Sequence, residues 1–366
     1  MHNDETDRRR LYSSVGTALA FLDDERIFEL IGHGDAKGYW GTHQTIEVGG
    51  SKTFVKRIPV TDVEHENPYS TRNLYDLPLY YNYGVGSAGL GVWRELATHI
   101  RTTNWVLEGA IDTFPLMYHH RVLPRVPAPD AIDETTYADY VAHWNGSEAV
   151  GRYATDRANA HHELVIFLEH IPNEMAAWLS ANQHATEHVV RDLQGAITFL
   201  RRHGIVHFDA HFGNVVTDGS RAYLTDFGLV LDEAFELTDD ERAFLRRHKR
   251  YDYGLALMSL GYALFDAYVS MPPPKRAALH AHLGVREGEN PPRVVETIVA
   301  NLEGVVAHGA MKLDASFVAA ILQYRDVMAY MNNFLTTLRA NARKDTPYDD
   351  EHLRLLLKAS GVSTGN

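Results

Sequence analysis

The chain has 366 residues, of which 45% are hydrophobic and 23% are charged, and it contains no cysteine. This composition is ordinary for a globular protein with one large or two smaller domains, and it excludes disulfides, thiolate metal sites and a cysteine nucleophile. The formal net charge of −13 at pH 7 disfavours a general nucleic-acid or anionic-membrane surface, so we expect neither partner.

The N-terminal residues carry no recognisable targeting pattern. "MHNDETDRRR" is charged and leads into no apolar run, so we expect no signal peptide. The most apolar long stretch, "LALMSLGYALF", has 11 residues, which is short of the ~20 needed to span a bilayer. We therefore expect a cytoplasmic protein.

Strand patterns dominate the first half of the chain. Residues 26–48 contain two runs of alternating hydrophobic residues around a glycine-rich turn, which predicts two strands. "GGSKTFVKRIPV", residues 49–60, predicts a turn and a third strand. Two further strands are predicted in "FPLMYHHRVLP" and "ELVIFLEHIP", which begin at Phe114 and Glu163.

One helix and two insertions interrupt these strands. Residues 62–89 are rich in Pro, Gly, Asn and Tyr, which predicts an ordered insertion. "LGVWRELATHIRTTNW" then predicts a helix, because Val92, Leu96 and Ile100 recur every four residues. A second insertion, which is Pro-rich and then polar, runs from about residue 124 to residue 162.

Helix patterns dominate the second half. "TEHVVRDLQGAITFLRRHG" places Val189, Leu193 and Ile197 on one apolar stripe and stops at Gly204, a typical residue beyond a helix end. After residue 250 the helical pattern is broken at "MPPPK" and "GENPPR". A strand-rich part followed by a helical part predicts an α+β protein with two lobes.

The polar residues that promise chemistry lie in "HFDAHFGNVVTDGSRAYLTDFG", residues 207–228. Asp-Gly between two apolar runs predicts a hairpin. Asn214 and Asp226 are symmetric about residue 220, so an antiparallel hairpin would bring their oxygens together at its open end. Two hard oxygen ligands and phosphate oxygens suit Mg²⁺. Asp209 lies in the preceding loop, close enough to orient a hydroxyl nucleophile.

"HFDAHFGN" followed by "LTDFG" resembles the catalytic loop and metal motif of the protein-kinase-like superfamily, which includes protein kinases and the antibiotic and choline phosphotransferases. The family's other parts occur in the expected order: a glycine-rich phosphate loop, a strand lysine for the phosphates, a helix glutamate that pairs with the lysine, and a hinge whose backbone contacts adenine. The corresponding residues are Gly32, Gly34 and Gly38, then Lys56, then Glu95, and finally Glu169 to Ile171.

The resemblance implies the architecture and the cofactors. Residues 1–26 are expected to form an N-terminal extension and residues 27–170 an N-lobe built on an antiparallel sheet, with insertions at about 60–90 and 124–162. Residues 171–366 are expected to form a mainly helical C-lobe with extra C-terminal helices. ATP and Mg²⁺ are the implied cofactors, with Asp209, Asn214, Asp226 and Lys56 as the catalytic set and Asn214 and Asp226 as the metal ligands.

The residues around the motif leave the acceptor open. Phe208 stands where protein kinases have arginine, and His211 gives a pattern closer to that of small-molecule phosphotransferases. Asp252, in contrast, occupies the place of a structural aspartate of protein kinases. We interpret His207 as structural, whereas His211 fits either a buried hydrogen-bonding role or a role in the site.

Three functions follow from these patterns. The first is an ATP- and Mg²⁺-dependent kinase that phosphorylates a small-molecule hydroxyl, and the second is a Ser/Thr kinase that acts on a protein or peptide. The third is an inactive scaffold, which predicts loss of at least one residue of the catalytic set. All four residues are present, which favours an enzyme.

Overall fold

The computed structural model describes residues 2–32, 41–125, 134–286, 288–309 and 311–364. Within these ranges the fold is α+β, and its strands form antiparallel sheets. Elements up to residue 169 surround one larger sheet, and helices predominate after residue 175. The elements of the first part are α1 (His2–Ala20), α2 (Asp24–Ile31), β1 (Thr42–Val48), β2 (Ser51–Val60), α3 (Asp62–Glu66), α4 (Val92–Glu108), β3 (Met117–Pro124), α5 (Glu134–His143), α6 (Glu148–Ala158) and β4 (His162–Glu169).

The larger sheet has the strand order β1-β2-β4-β3. Gly49 and Gly50, both with positive φ, make the turn between β1 and β2, as the sequence predicts. The strands predicted around residues 114–124 and 163–172 are confirmed as β3 and β4. The helix predicted from residue 90 is confirmed as α4, which ends at Gly109 in the left-handed conformation.

Helix α4 packs across one face of this sheet. Their shared apolar cluster is Ile58, Val60, Val92, Trp93, Leu96, Met117, Leu164, Ile166 and Leu168, all almost completely buried. Burial of such side chains contributes roughly 1.5–3 kcal/mol each. The packing therefore places the first turn of α4 against the middle of β2.

The strand predicted between residues 26 and 31 is wrong, because this segment is helix α2. Ile27 and Ile31, four residues apart, bury one face, and the Asp23 side chain caps the helix by accepting a hydrogen bond from Arg26 N. The hydrophobic spacing that we interpreted as alternation has a helical period. Gly32 consequently follows a helix, and the glycine-rich segment connects α2 to β1.

The second part of the chain is mostly helical. Its elements are β5 (Asn173–Glu174), α7 (Met175–Ala181), α8 (Thr186–Arg202), β6 (Ile205–Val206), β7 (Val215–Thr217), β8 (Ala222–Leu224), β9 (Leu231–Asp232), α9 (Asp239–Arg247), α10 (Tyr251–Met258), α11 (Leu260–Val269), α12 (Pro273–Leu283), α13 (Pro291–Ala300), α14 (Leu302–His308), α15 (Ala315–Ala340) and α16 (Asp350–Ala359). The predicted breaks are confirmed, because Pro273 and Pro291 begin helices, where a missing N–H costs nothing.

The core of this part forms around α15, whose inward residues include Phe317, Ile321 and Met331. Helix α8 carries the predicted apolar stripe, and Gly204 follows its end with φ 77°. Strands β7 and β8 form the predicted hairpin. In the part of the chain that the structure describes, every helix falls short of the length and apolar character that crossing a bilayer requires.

Candidate functional site

Lys56, Glu95 and Asp226 form an ion-pair cluster that joins the larger sheet to the second part of the chain. Lys56 Nζ donates to Glu95 Oε1 at 2.6 Å and to Asp226 Oδ1 at 2.8 Å. Lys56 projects from the face of β2 that α4 covers, and Glu95 lies in the first turn of α4. Packing of that helix therefore places a carboxylate directly against the strand lysine.

The charges in this cluster support one another. Burial alone would lower the pKa of Lys56, but the carboxylates of Asp226 and Glu95 raise it by more, so the ammonium is retained. Burial would raise the pKa of Asp226, but the charge of Lys56 outweighs it and lowers the value to about 2. The pKa of Glu95 is also lowered, since Lys56 outweighs the effect of burial. All three groups are ionised at neutral pH.

Asp209 and Asn214 form a second cluster in the loop before β7. Asn214 Nδ2 donates to Asp209 Oδ2 at 2.8 Å and to the Asp209 backbone oxygen at 2.9 Å. Because the amide nitrogen makes both bonds, the amide oxygen is directed away from Asp209 and is free for another partner. A 3₁₀ turn, Phe212–Asn214, sets this geometry, and His211 caps it by accepting from Gly213 N at 2.9 Å.

His207 connects the two clusters. Its Nδ1 accepts from Asp209 N at 3.2 Å, and its Nε2 donates to the oxygen of Thr225, the residue before Asp226, at 3.1 Å. Burial lowers the pKa of His207 to about 4, so the ring is neutral at pH 7 and carries its proton on Nε2. The role is structural, as expected, because the ring fixes the loop against the strand that precedes Asp226.

Asp252, in the first turn of α10, holds the same loop from behind. Its two carboxylate oxygens accept from His207 N at 2.7 Å and from Phe208 N at 2.9 Å. Burial raises the pKa of Asp252 to about 7, while the two N–H donors favour the charged form. Phe208 and Asp226 both adopt positive φ, 64° and 63°, an uncommon conformation for residues other than glycine. Buried contacts therefore hold Phe208 of this loop, and Asp226 after β8, in strained backbone geometry.

The predicted hairpin brings Asn214 and Asp226 to the same end, but one residue out of register. Val215 pairs with Leu224, and Thr225 N donates to the Asn214 oxygen at 3.0 Å. Asp226 thus follows the residue opposite Asn214. The positive φ of Asp226 turns its carboxylate toward Lys56.

The predicted nucleotide-contact residues lie in several places. Gly32 ends α2, and its carbonyl accepts from Arg57 Nη1 at 3.0 Å. Gly34 and Gly38 lie outside the described residues. Glu169 is at the end of β4, with its N–H bonded to the Leu116 oxygen at 2.8 Å. Ile171 is half-buried after β4, and within the described chain its backbone makes no hydrogen bond.

The Glu169 side chain makes contacts that the sequence pattern did not predict. It pairs with Arg8 of α1 at 2.7 Å, and the side chain also accepts from Leu116 N at 3.0 Å. Arg8 further donates to the oxygens of Asp112 and Phe114. The N-terminal helix is therefore fastened to the segment before β3 and to the end of β4. No pattern in the charged N-terminal sequence predicted that Arg8 would pair with Glu169.

The sequence pattern also did not predict a role for Gly84, which lies in the Tyr-rich insertion. A methyl group at this position would lie 2.0 Å from Asp209 Oδ1, so the glycine backbone abuts the carboxylate. His211 Nε2 lies 3.3 Å from the same oxygen, and Tyr262 packs edge-on to the His211 ring. Burial would lower the pKa of His211, but the Asp209 carboxylate raises it by more. The surface beyond Asp209 is therefore formed by the backbone of Gly84, the imidazole of His211 and the phenol ring of Tyr262.

The oxygen atoms of this site suit a metal ion that takes few protein ligands. In the five described ranges, no three His, Cys, Asp or Glu side chains converge as a ready-made metal cage. Mg²⁺ needs no such cage, because it is commonly held by one or two protein oxygens, phosphate oxygens and water. The amide oxygen of Asn214 and the second carboxylate oxygen of Asp226 fit that requirement.

Comparison with known proteins adds no further assignment. No protein-family model matches the chain, and no curated protein is significantly similar to it in sequence.

Proposed function

We propose that the chain is an ATP- and Mg²⁺-dependent phosphotransferase that moves the γ-phosphoryl group to an acceptor hydroxyl, and that its fold is a two-lobed, protein-kinase-like one. The observation that carries the proposal is the contact of Lys56 with both Glu95 and Asp226, 2.6 and 2.8 Å away. A strand lysine, a helix glutamate and the aspartate of Asp-Phe-Gly are the three parts that a kinase site requires together.

The architecture supports the same proposal. The order β1-β2-β4-β3, with α4 packed on β2, puts the lysine strand next to the strand that ends at Glu169. Thr53 and Glu169 form the last pair between β2 and β4, and the backbone of Ile171, which makes no hydrogen bond within the described chain, lies two residues beyond that pair. An adenine ring could hydrogen-bond there, which is the role that the resemblance gives this segment.

Each side chain has a stated task in this proposal. Lys56 neutralises the α- and β-phosphates, and Glu95 limits where its ammonium can go. Asn214 and Asp226 would hold Mg²⁺, and the ion would supply positive charge against the phosphates. Asp209 accepts a hydrogen bond from the acceptor hydroxyl and so aligns its oxygen with phosphorus.

The transfer balances without a further reactant. The bond between the γ-phosphorus and the β–γ bridging oxygen breaks, and a new bond forms from phosphorus to the acceptor oxygen. ADP leaves with the bond electrons, and the hydroxyl proton passes to Asp209 late in the reaction. Asp209 suits this task because its carboxylate stands in a half-buried loop and is positioned by Asn214 and His207.

A small-molecule hydroxyl is the favoured acceptor, since His211 gives the Asp-x-His-x-x-Asn pattern of small-molecule phosphotransferases and lies 3.3 Å from Asp209. A peptide hydroxyl is the second candidate. It is favoured by Asp252, which holds the loop through two backbone N–H groups in the place of the structural aspartate of protein kinases. Radiolabelled ATP offered to hydroxyl metabolites and to generic protein acceptors separates the two.

Asp209→Asn tests the proposed reaction. The amide keeps the shape of the carboxylate but cannot take a proton, so turnover should fall by about 10²–10⁴-fold while Mg–ATP affinity stays unchanged. Turnover is measured as ADP release and affinity by calorimetry with a non-hydrolysable analogue. Unchanged turnover in the variant, or no nucleotide binding by the native chain, would reject the proposal.

A further inference from the structure

The insertion between β2 and α4 contains a segment, residues 79–91, that lies on the acceptor side of Asp209; we call it the strap. The backbone of Gly84 in the strap is so close to Asp209 that a methyl group there would lie 2.0 Å from Oδ1. This oxygen is shielded from solvent and faces His211 Nε2 at 3.3 Å. The other carboxylate oxygen is already bonded to Asn214. An acceptor hydroxyl therefore cannot reach Oδ1 of Asp209 while the strap is in place.

Tyr83 anchors the strap. Its hydroxyl is hydrogen-bonded to His248 Nε2 at 2.7 Å, and its ring lies in an aromatic cluster with Phe244, Tyr251 and Phe334. Phe208 stacks on Phe244 in the same cluster. The residue before Asp209 and the residue before Gly84 thus share one apolar anchor. This places the two backbones side by side.

Further hydrogen bonds hold the part of the strap that follows Tyr83. Ser87 Oγ shares its proton between the Tyr81 oxygen at 2.5 Å and the Tyr83 oxygen at 2.8 Å, and His143 Nε2 donates to the Val85 oxygen at 2.9 Å. Leu90 N donates to the oxygen of Gly228, in the Asp-Phe-Gly sequence, at 2.9 Å. The strap is therefore tied directly to the segment that carries Asp226.

The strap also contains the backbone freedom that a moving segment needs. Gly86, Gly89 and Gly91 have φ of 117°, 107° and 116°, which other residues rarely adopt. Gly86 is exposed, whereas Tyr83 is buried. Release of the Tyr83 anchor would let the backbone that precedes these glycines, including Gly84, withdraw from Asp209.

We propose that the strap is an autoinhibitory segment that covers the acceptor side of Asp209 and opens when Tyr83 leaves its aromatic anchor. The proposal rests on the proposed phosphotransferase function. It adds that the chain is held closed by its own insertion. Phe208 stands where protein kinases have an arginine, so this position offers no cation that could pair with a phosphorylated loop.

Tyr83→Phe tests the anchor without removing the ring. The variant loses the hydrogen bond to His248 and leaves a buried ring nitrogen unpaired, which should increase the open population about tenfold. Tyr251→Phe is the matched control, because Tyr251 is in the same cluster and its hydroxyl has no hydrogen-bond partner among the described residues. Both variants keep their aromatic packing, so both are expected to fold.

Two measurements on the full chain are compared. Hydrogen exchange of the strap amides reports opening without any need for activity. Hydrolysis of Mg–ATP to ADP and phosphate, with water in place of the acceptor, reports access to Asp209. Tyr83→Phe should raise both about tenfold relative to Tyr251→Phe.

The outcomes separate the strap from the proposed function. Faster exchange without faster hydrolysis, in a chain that binds Mg–ATP, would show that the strap does not limit access to Asp209. Unchanged strap exchange in Tyr83→Phe would show that Tyr83 is not the anchor. A chain that binds no nucleotide would overturn the proposed function, and the strap proposal with it, whatever the exchange rates are.

Discussion

The ion pair between Lys56 and Glu95 makes the sharpest quantitative prediction. Glu95→Gln keeps a hydrogen-bond acceptor for Lys56 Nζ but removes the negative charge. The Glu95 side chain is 6% exposed and Lys56 is 19% exposed, whereas Asp226, the remaining partner, is 43% exposed. Lys56 would therefore keep only its better-solvated carboxylate.

The size of the effect follows from the bond that is lost. A charged hydrogen bond contributes roughly 1.5–3 kcal/mol and a neutral one roughly 0.5–1.5 kcal/mol, so Glu95→Gln should reduce the free energy of unfolding by about 1–2 kcal/mol. With Lys56 less restrained, phosphate positioning should also suffer, and we expect Mg–ATP turnover to fall about tenfold. Urea unfolding followed by tryptophan fluorescence measures the first quantity, and ADP release measures the second.

Glu241→Gln is the matched control. Glu241 pairs with Arg94, the neighbour of Glu95 in α4, at 2.8 Å, and both side chains are at most 4% exposed. The control should lose a comparable amount of stability and keep its turnover. Equal loss of turnover in the two variants, or none in Glu95→Gln, would refute a specific role for the Lys56–Glu95 pair.

Two further predictions concern the loop and the acid limit of stability. Asp252→Ala leaves the N–H groups of His207 and Phe208 buried without an acceptor, so the free energy of unfolding should fall by roughly 2–6 kcal/mol, measured by urea unfolding; a loss below about 1 kcal/mol would contradict this. The folded-state pKa of Asp226 is lowered to about 2, so its ion pair with Lys56 stabilises the fold above pH ~4 and is lost as the pH falls toward 2. Because Asp226 is partly exposed, native chain and Asp226→Asn should differ by only ~1 kcal/mol at pH 5 and converge near pH 2; a gap that persists at pH 2 would contradict the assignment.

The local secondary structure around the site was predictable from the sequence. The Asp-Gly hairpin, the strand of Lys56 and the helix of Glu95 each depend on spacings within a dozen residues, and all three elements are present. The contact between Lys56 and Glu95 was predicted from the family resemblance. The hairpin register was predicted to within one residue, because turn type shifts the pairing by small steps that composition does not specify.

Two errors of a different kind also have physical causes. In "RIFELI" the hydrophobic residues satisfy both a strand and a helix pattern over so short a run, and the Asp23 cap decided for the helix. The contact of Gly84 with Asp209 joins distant parts of the chain, and no local periodicity encodes it. The Tyr- and Gly-rich composition of residues 79–91 predicted an ordered segment, but only the three-dimensional structure shows that this segment contacts Asp209.

The proposed Mg–ATP site is tested by binding of a non-hydrolysable ATP analogue, with and without Mg²⁺, to the native chain and to Asp226→Asn. We expect Mg²⁺ to strengthen binding to the native chain at least tenfold and Asp226→Asn to abolish this increase, because Asp226 and Asn214 are the proposed ligands. An affinity that is independent of Mg²⁺ and of Asp226, or no affinity in any sample, would contradict the proposed site.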